Sequence, residues 1–162
     1  DVLDASLTPR LIQPTTFAEI SGEKTERTKA LSALFRKAEI PYQQVKDMHL
    51  WQLCHLAMVV PIADAYELAD NPSEAGRERK LMRRTAEQLK TNFRHLKKAR
   101  GKLSPAKMNL FLLLPVPVLT IALSLVFESA FGNKFMYRHA VKAPDEMRRL
   151  HEQFYAYLEA EA

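Results

Sequence analysis

The stretch that most restricts the fold runs from Leu110 to Phe127, LFLLLPVPVLTIALSLVF, and contains eighteen residues without a charge. As one straight helix it would be about 27 Å long, close to the roughly 30 Å hydrocarbon thickness of a bilayer. Pro115 and Pro117 argue against a span, because each removes a backbone donor and the carbonyls freed beside them would find no partner in lipid. We therefore predict a pair of packed interior helices in a water-soluble protein, with no membrane partner.

A membrane-associated protein is the alternative to that prediction. Basic residues precede the segment, as they would at a cytoplasmic membrane face; they are Arg94, Lys97, Lys98, Arg100, Lys102 and Lys107. A second apolar stretch, residues 50–65, is apolar on nearly every side and predicts a buried central helix that Pro61 bends or breaks. Amphipathic helices need an apolar centre to pack around, and these two stretches would provide it.

Helical periodicity dominates the rest of the chain. Apolar residues recur at three- and four-residue spacing, which predicts amphipathic helices over residues 23–39, 73–100 and 144–159. The 73–100 helix has the clearest ends, since Asn71 and Pro72 form a start signal and Gly101 a stop signal. Its predicted buried stripe comprises Met82, Ala86, Leu89, Phe93 and Leu96.

The beginning of the chain has a different pattern. RLIQPTTFAEIS is short, rich in β-branched residues and interrupted by Pro14, which predicts one or two edge strands. We therefore predict an all-α fold, in which a multi-helix bundle over residues 21–162 follows a strand-like tail at residues 1–20.

Composition excludes some classes of protein. A chain of 162 residues fits one domain, and its single cysteine, Cys54, cannot form an internal disulfide. With no secretory signal at the start, we expect a cytoplasmic protein in which Cys54 is a buried, inert thiol. The four glycines are more than twenty residues apart, so the chain has neither a dinucleotide fingerprint nor a P-loop.

A basic cluster follows residue 77. Eleven Lys or Arg and only two acidic residues occur between Arg77 and Lys102. On a helical wheel, most of these basic residues fall opposite the predicted buried stripe: Arg79, Lys80, Arg83, Arg84, Lys90, Arg94, Lys97 and Lys98. We favour a solvated outer face, or one that meets an acidic partner, because no base-reading side chains are interleaved with it. A helical module that binds nucleic acid is the less favoured alternative.

Candidate chemical groups are sparse. His49 and His55 are six residues apart, which does not place both imidazoles on one helical face, so we predict no metal site. His139 and Glu146 flank the turn before the last helix and could face a cleft together. On spacing alone, we favour a capping and helix-dipole role for Glu146 and a polar turn role for His139.

Four stretches together resemble the C-terminal half of the ketopantoate reductase (2-dehydropantoate 2-reductase) family. They are FAEISGEKTERTKALSALFRKAEIPYQQVKDMHLWQL, the apolar helix after Trp51, SPAKMNLFLLLPVPVL and RHAVKAPDEMRRLHEQF. The resemblance covers nearly the whole chain through loose motifs. It implies a helical domain like the C-terminal domain of 6-phosphogluconate dehydrogenase, with residues 1–20 as the remnant of a Rossmann domain.

The resemblance also implies a function. The full-length protein would be an NADPH-dependent oxidoreductase that reduces a small 2-keto acid in the cleft between its two domains. This chain would be the substrate-side and dimerisation domain, would form a homodimer, and alone would neither bind NADPH nor reduce a substrate.

At two positions the chain departs from the family pattern. The family has a lysine two residues after the tryptophan that Trp51 resembles and an asparagine four residues later, where this chain has Leu53 and Ala57. Glu146 matches the family's late acidic residue, and His139 is a candidate replacement proton donor. The resemblance therefore implies a divergent member that either uses Glu146 and His139 or does not catalyse this reaction.

Overall fold

A computed structural model describes residues 13–142 and 144–161, without the side chains of residues 139 and 141. The chain divides into two compact units, residues 1–48 and 49–162. The secondary-structure elements in chain order are β1 Thr15–Phe17, α1 Glu26–Lys37, β2 Tyr42–Gln44, α2 Met48–Leu68, α3 Arg79–Arg100, α4 Leu110–Leu113, α5 Val116–Glu128, α6 Arg138–Lys142 and α7 Pro144–Ala160. The predicted all-helical class with a short strand near the N-terminus is confirmed.

The first unit is a β–α–β arrangement. β1 and β2 pair in parallel, with Thr15 opposite Tyr42 and Phe17 opposite Gln44. Because two parallel strands cannot be joined by a tight turn, helix α1 forms the crossover between them. The unit therefore extends to residue 48, whereas the sequence suggested a boundary near residue 20. Residues 1–12 of the predicted tail lie outside the described residues.

The turn between β1 and α1 is closed by its own side chains. Thr25 caps α1 and forms a capping box with Thr28. The Glu19 carboxylate accepts hydrogen bonds from the Thr25 hydroxyl and from Arg27. Gly22 has a φ of +75°, and a Cβ there would lie 2.6 Å from the Lys46 carbonyl oxygen, so this position requires glycine.

Helix α2 is the centre of the second unit. It is one continuous 21-residue helix, so of the bend or break predicted at Pro61 the break is wrong. A proline leaves the carbonyl four residues earlier without its helical donor, and here that carbonyl belongs to Ala57. The buried amide of Asn92 donates to the Ala57 oxygen at 3.3 Å. A neighbouring side chain thus replaces the missing hydrogen bond, and the helix continues.

Helix α3 lies against α4 and α5 and carries the predicted stripe. All five stripe residues are fully buried: Met82, Ala86, Leu89, Phe93 and Leu96. The helix starts later than predicted, because Asn71 caps a short 3-10 helix, Pro72–Arg77, and α3 begins at Arg79. Gly101 ends α3 in the left-handed conformation, as predicted.

The predicted break at Pro115 and Pro117 is present. The segment Ala106–Leu113 and α5 are bent by 116° relative to each other. The Lys90 ammonium closes the bend, donating to the carbonyl oxygens of Phe111 at 3.1 Å and Leu112 at 2.9 Å, and also to that of Leu114. Lys90 is only 6% exposed, so its predicted place on the solvated basic arc is wrong.

The predicted interior position of residues 110–127 is only half right. One face of α5 packs against α3 and the 72–77 helix through Leu119, Thr120, Leu123 and Phe127. Large apolar side chains on the other face and on α4 are exposed: Leu110, Leu113, Val118, Ile121, Leu125 and Val126. Within the described ranges, no single helix is long and apolar enough to cross a bilayer, and only this bent pair passes by length and composition together.

The last helix returns along α2. After a π-helical turn, Gly132–Tyr137, and the short α6, helix α7 buries Phe154 and Leu158. The His49 and Tyr157 rings are 6.0 Å apart, and His151 bonds to Asp64, so α7 runs antiparallel to α2. This pairing brings polar groups from three helices together.

Candidate ligand-binding cleft

A cleft of about 530 Å³ opens between α2, α3 and α7 in the second unit. This volume falls within the usual range for small-molecule sites. The polar side chains that line it include Asp64, Arg84, Gln88, Arg148, His151 and Tyr155. The apolar part of the wall comes from residues such as Pro61, Leu68 and Leu81. An apolar wall with a few converging polar groups is typical of a binding site.

His151 and Asp64 form the central polar pair. The Nδ1 atom of His151 lies 2.9 Å and 3.0 Å from the two carboxylate oxygens of Asp64. An ionised carboxylate only accepts hydrogen bonds, so Nδ1 carries the hydrogen and donates it. The Nε2 atom of the same ring is then left to exchange a proton with a ligand. This arrangement suits acid–base chemistry.

Burial shifts the pKa of the Asp64 carboxyl. Its side chain is 24% exposed, and burial raises the pKa of this carboxyl above its usual value of 3.8. The hydrogen bond from His151 opposes that rise, as does the more distant positive charge of Arg84. Asp64 is therefore a more basic carboxylate than one in water.

A hydrogen-bonded chain holds the other side of His151. The Gln88 side chain donates to Oδ1 of Asn92 at 3.0 Å, and Nδ2 of Asn92 donates to the Tyr155 hydroxyl at 3.4 Å. The Tyr155 ring meets the His151 ring edge to face at 4.6 Å. Burial raises the pKa of Tyr155, so its hydroxyl keeps its proton. The imidazole is thus held between a carboxylate and an aromatic ring.

Two arginines bring positive charge to the cleft. Arg148 is shared with carboxylates, lying 3.3 Å from Asp145 and 4.0 Å from Glu67. Arg84 is exposed at the cleft wall, and among the described side chains no carboxylate lies within ion-pair distance of it. A planar guanidinium can donate two parallel hydrogen bonds to a carboxylate. Arg84 is therefore the group best placed to bind an anionic ligand.

The residues singled out from the sequence lie elsewhere. Glu146 is exposed on the first turn of α7 and is not among the residues that line the cleft. His139 belongs to α6, but its side chain lies outside the described residues. Leu53 and Ala57 are 5% and 0% exposed and belong to the core. At the family's polar positions, this chain therefore has packing residues.

Sequence reasoning missed the Asp64–His151 pair. Its two members are 87 residues apart, and neither belongs to a short motif. One signal was present, because Asp64 is the only acidic residue in the largely apolar stretch from residue 48 to residue 66. A lone carboxylate in a buried helix needs a partner, and such partners are often functional.

The described residues do not fit a dinucleotide. A pyrophosphate binds where glycines open a strand-to-helix turn and helix N–H groups point at it. Here the Gly22 turn is filled by the Lys46 carbonyl, and at the N-terminus of α1 the Thr25 hydroxyl already accepts from the Thr28 N–H. The turn from β2 to α2 contains no glycine. Within the described part of the chain, no group of three His, Cys, Asp or Glu residues could hold a metal ion.

Comparison with family models, with curated proteins and with solved structures gives no match.

Proposed function

We propose that the second unit binds a small 2-keto acid in the His151 cleft, as the substrate-side domain of a ketopantoate-reductase-like, NADPH-dependent oxidoreductase. The observation that supports this is that the His151–Asp64 pair and the exposed Arg84 line the same cleft. These groups would suit the two adjacent polar groups of a 2-keto acid, a ketone oxygen and a carboxylate. The proposal keeps the substrate class that the family resemblance implies and assigns it to different residues.

Each residue has a separate role in this proposal. Reduction of a ketone places negative charge on the carbonyl oxygen, and a proton donor there lowers the barrier. His151 would give that proton from Nε2, while Asp64 would stabilise the imidazolium before transfer. Arg84 would pair with the substrate carboxylate and fix the orientation of the carbonyl. The described residues do not fit a dinucleotide, so the reductant would be bound by another domain.

The first unit has features that favour a larger nucleotide-binding domain in the full-length protein. Parallel sheets normally have several strands with helices on both faces, and a two-stranded sheet alone is marginally stable. The described part of the first unit has two parallel strands, and Leu34 on its crossover helix is 60% exposed. We propose that this β–α–β unit continues a parallel sheet that carries the nucleotide site in the full-length protein.

Ligand titration tests the cleft directly. Short straight-chain and branched 2-keto acids would be titrated into the ¹⁵N-labelled chain, with binding followed by amide shifts and by calorimetry. We expect saturable shifts on α2, α3 and α7, and at least a tenfold weaker affinity in His151→Gln and in Arg84→Gln. Glu146→Gln is the control and should bind as the wild type does. Binding that is lost in Glu146→Gln but kept in His151→Gln would place the site at Glu146 instead.

A second candidate function uses the outer face of α3. Basic residues there are exposed, including Arg79, Lys80, Arg94 and Lys98. This face suits an acidic protein or a nucleic-acid backbone. The test is binding of a mixed-sequence oligonucleotide at several salt concentrations, with Lys80→Glu and Lys98→Glu as variants. Affinity that falls steeply with salt and is lost in the variants would support this function, and no binding at low salt would end it.

A further inference from the structure

The outer surface of α5 forms a continuous apolar stripe, defined here as Val118, Ile121, Ala122 and Leu125. All four residues are exposed, with Ile121 at 60% and Leu125 at 66%. The chain has no charged residue between Lys107 and Glu128, so no charged side chain of this segment interrupts the stripe. The opposite face of α5 is already packed against α3. An uncovered stripe of this kind marks an interaction surface.

The exposed area is large enough for a stable contact. Leu110 and Leu113 of α4, at 56% and 77% exposure, and Val126 of α5 add to the apolar surface. Each such side chain contributes on the order of 100 Å² of apolar surface, so the group approaches the roughly 800 Å² that one partner buries in a standard interface. The centre of a homodimer interface is depleted in charged residues, which matches this surface.

We propose that the stripe is a homodimer interface, in which α5 packs antiparallel against α5 of a second copy of this chain. In a twofold interface the same surface contacts itself, so residue pairs are reciprocal. With the axis beside Ile121 and Ala122, these two residues face each other across the interface, and Val118 faces Leu125. Each pair then combines a larger side chain with a smaller one, which lets the two helices approach closely.

A membrane surface is the competing occupant, and the charges disfavour it. A helix that lies in a bilayer interface normally carries Lys and Arg on the face opposite its apolar face. On α5 the opposite face is apolar and buried, through Leu119, Leu123 and Phe127. The first charged residue after the stripe is the acidic Glu128. A second copy matches the uncharged stripe better than an anionic lipid surface does.

The first experiment measures the mass of the full chain in solution over a range of concentrations by sedimentation. We expect a wild-type species of twice 18.6 kDa, and a monomer for Ile121→Lys, with a dissociation constant raised by about 100-fold or more. Leu34→Lys is the matched control, since Leu34 is also 60% exposed but lies on α1. Circular dichroism checks that each variant stays folded. A wild-type monomer at high concentration, or a dimer that Ile121→Lys leaves intact, would overturn the proposal.

The second experiment tests the antiparallel register. Val118→Lys alone should weaken the dimer, because the introduced ammonium would face the apolar Leu125 of the other copy. Adding Leu125→Glu should lower the dissociation constant of the single variant by at least tenfold, since each introduced lysine would then face a glutamate. A double variant that is as weak as the single one would contradict this register.

Vesicle sedimentation tests whether the stripe binds a membrane surface instead of a second copy. Vesicles of phosphatidylcholine with phosphatidylserine would be mixed with the wild type and with Ile121→Lys. We expect both proteins to stay in the supernatant. A wild-type chain that is monomeric and pellets with vesicles, while Ile121→Lys does not, would assign the stripe to a membrane surface and overturn the dimer proposal.

Discussion

The two most apolar segments of the second unit both contain proline, and they fold differently. α2 passes through Pro61 as one continuous helix with Leu50, Leu53, Ala57 and Val60 all buried. Residues 106–128 instead bend by 116° at Pro115, and the apolar side chains on one side are exposed to solvent. Similar composition therefore leads to a buried central helix in one case and to a half-exposed bent pair in the other.

Helix α3 accounts for much of this difference. It places the neutral amide of Asn92 at the single carbonyl that Pro61 frees. At the second site the helix ends, so several carbonyls near the end of α4 lose their helical donors. The three donors of the Lys90 ammonium bind those of Phe111, Leu112 and Leu114, of which that of Phe111 lies four residues before Pro115. The effect of a proline on an apolar helix thus depends on the donor that the neighbouring helix presents.

Lysine substitution at one leucine of each segment should give the largest contrast. Leu53→Lys places a charge where the side chain is 5% exposed, which we expect to destabilise the fold by more than about 4 kcal/mol. Leu125→Lys, at a side chain 66% exposed, should keep the wild-type helix content and affect only association. Far-UV circular dichroism with urea titration measures both. Comparable loss of helix in the two variants would show that α5 is buried as deeply as α2.

Leu53→Lys also places a lysine where the resembled family has one. If a lysine there were tolerated and increased binding of a 2-keto acid, the site would lie at the N-terminal end of α2, and the His151 cleft would lose its assigned role. We expect the opposite, because Leu53 packs in the core with Ala57.

Removing the Lys90 ammonium should be the next largest effect. Lys90→Met keeps most of the aliphatic stem but leaves the carbonyls of Phe111, Leu112 and Leu114 without their donor, and we expect a loss of about 3 kcal/mol. Lys97→Met is the matched control on the same helix, since Lys97 makes one exposed bond, of 2.9 Å, to Asn109. It should change stability by less than about 0.5 kcal/mol.

The measurement for this pair is the free energy of unfolding from urea titration at a concentration where the chain is monomeric. An equal effect of the two substitutions would mean that the bend at Pro115 does not depend on Lys90. A large effect of Lys90→Met alone would show that the lysine stabilises the bend.

Local sequence patterns predicted the parts of this fold that depend on neighbours along the chain. The alternating spacing from Met82 to Leu96 located a fully buried stripe, and the Pro-x-Pro pair located the break. The wheel angle of Lys90 was misleading, because a long side chain beside a buried face can reach inward to carbonyls.

Contacts between distant residues were not predictable in the same way. β2 forms only by pairing with β1 across the length of α1, and its three residues carry little signal alone. The polar pair of the cleft joins α2 to α7, so its geometry depends on how those helices pack. The sequence indicated a lone aspartate in a largely apolar helix, but only the fold shows that His151 lies beside it.

The smallest effect is predicted at Tyr66, where the two segments touch. Its ring stacks on Phe127 of α5 at 4.5 Å between ring centres, while its buried hydroxyl has no hydrogen-bond partner among the residues described. Tyr66→Phe keeps the stack and removes an unsatisfied polar group, so we expect stability to rise by about 1 kcal/mol, or about 2–4 °C in melting temperature.

The pH dependence identifies the cause of that gain. Burial raises the pKa of Tyr66 from 10.0 to about 12. The unfolded chain then loses this proton above about pH 10 while the folded chain keeps it, so folding stability falls as pH rises from about 10 to 12. Tyr66→Phe removes this contribution, and its advantage over the wild type should widen across that interval in urea titrations. A constant difference, or a less stable variant, would show that the hydroxyl is solvated or bonded and that the contact between the two segments is looser than the stack implies.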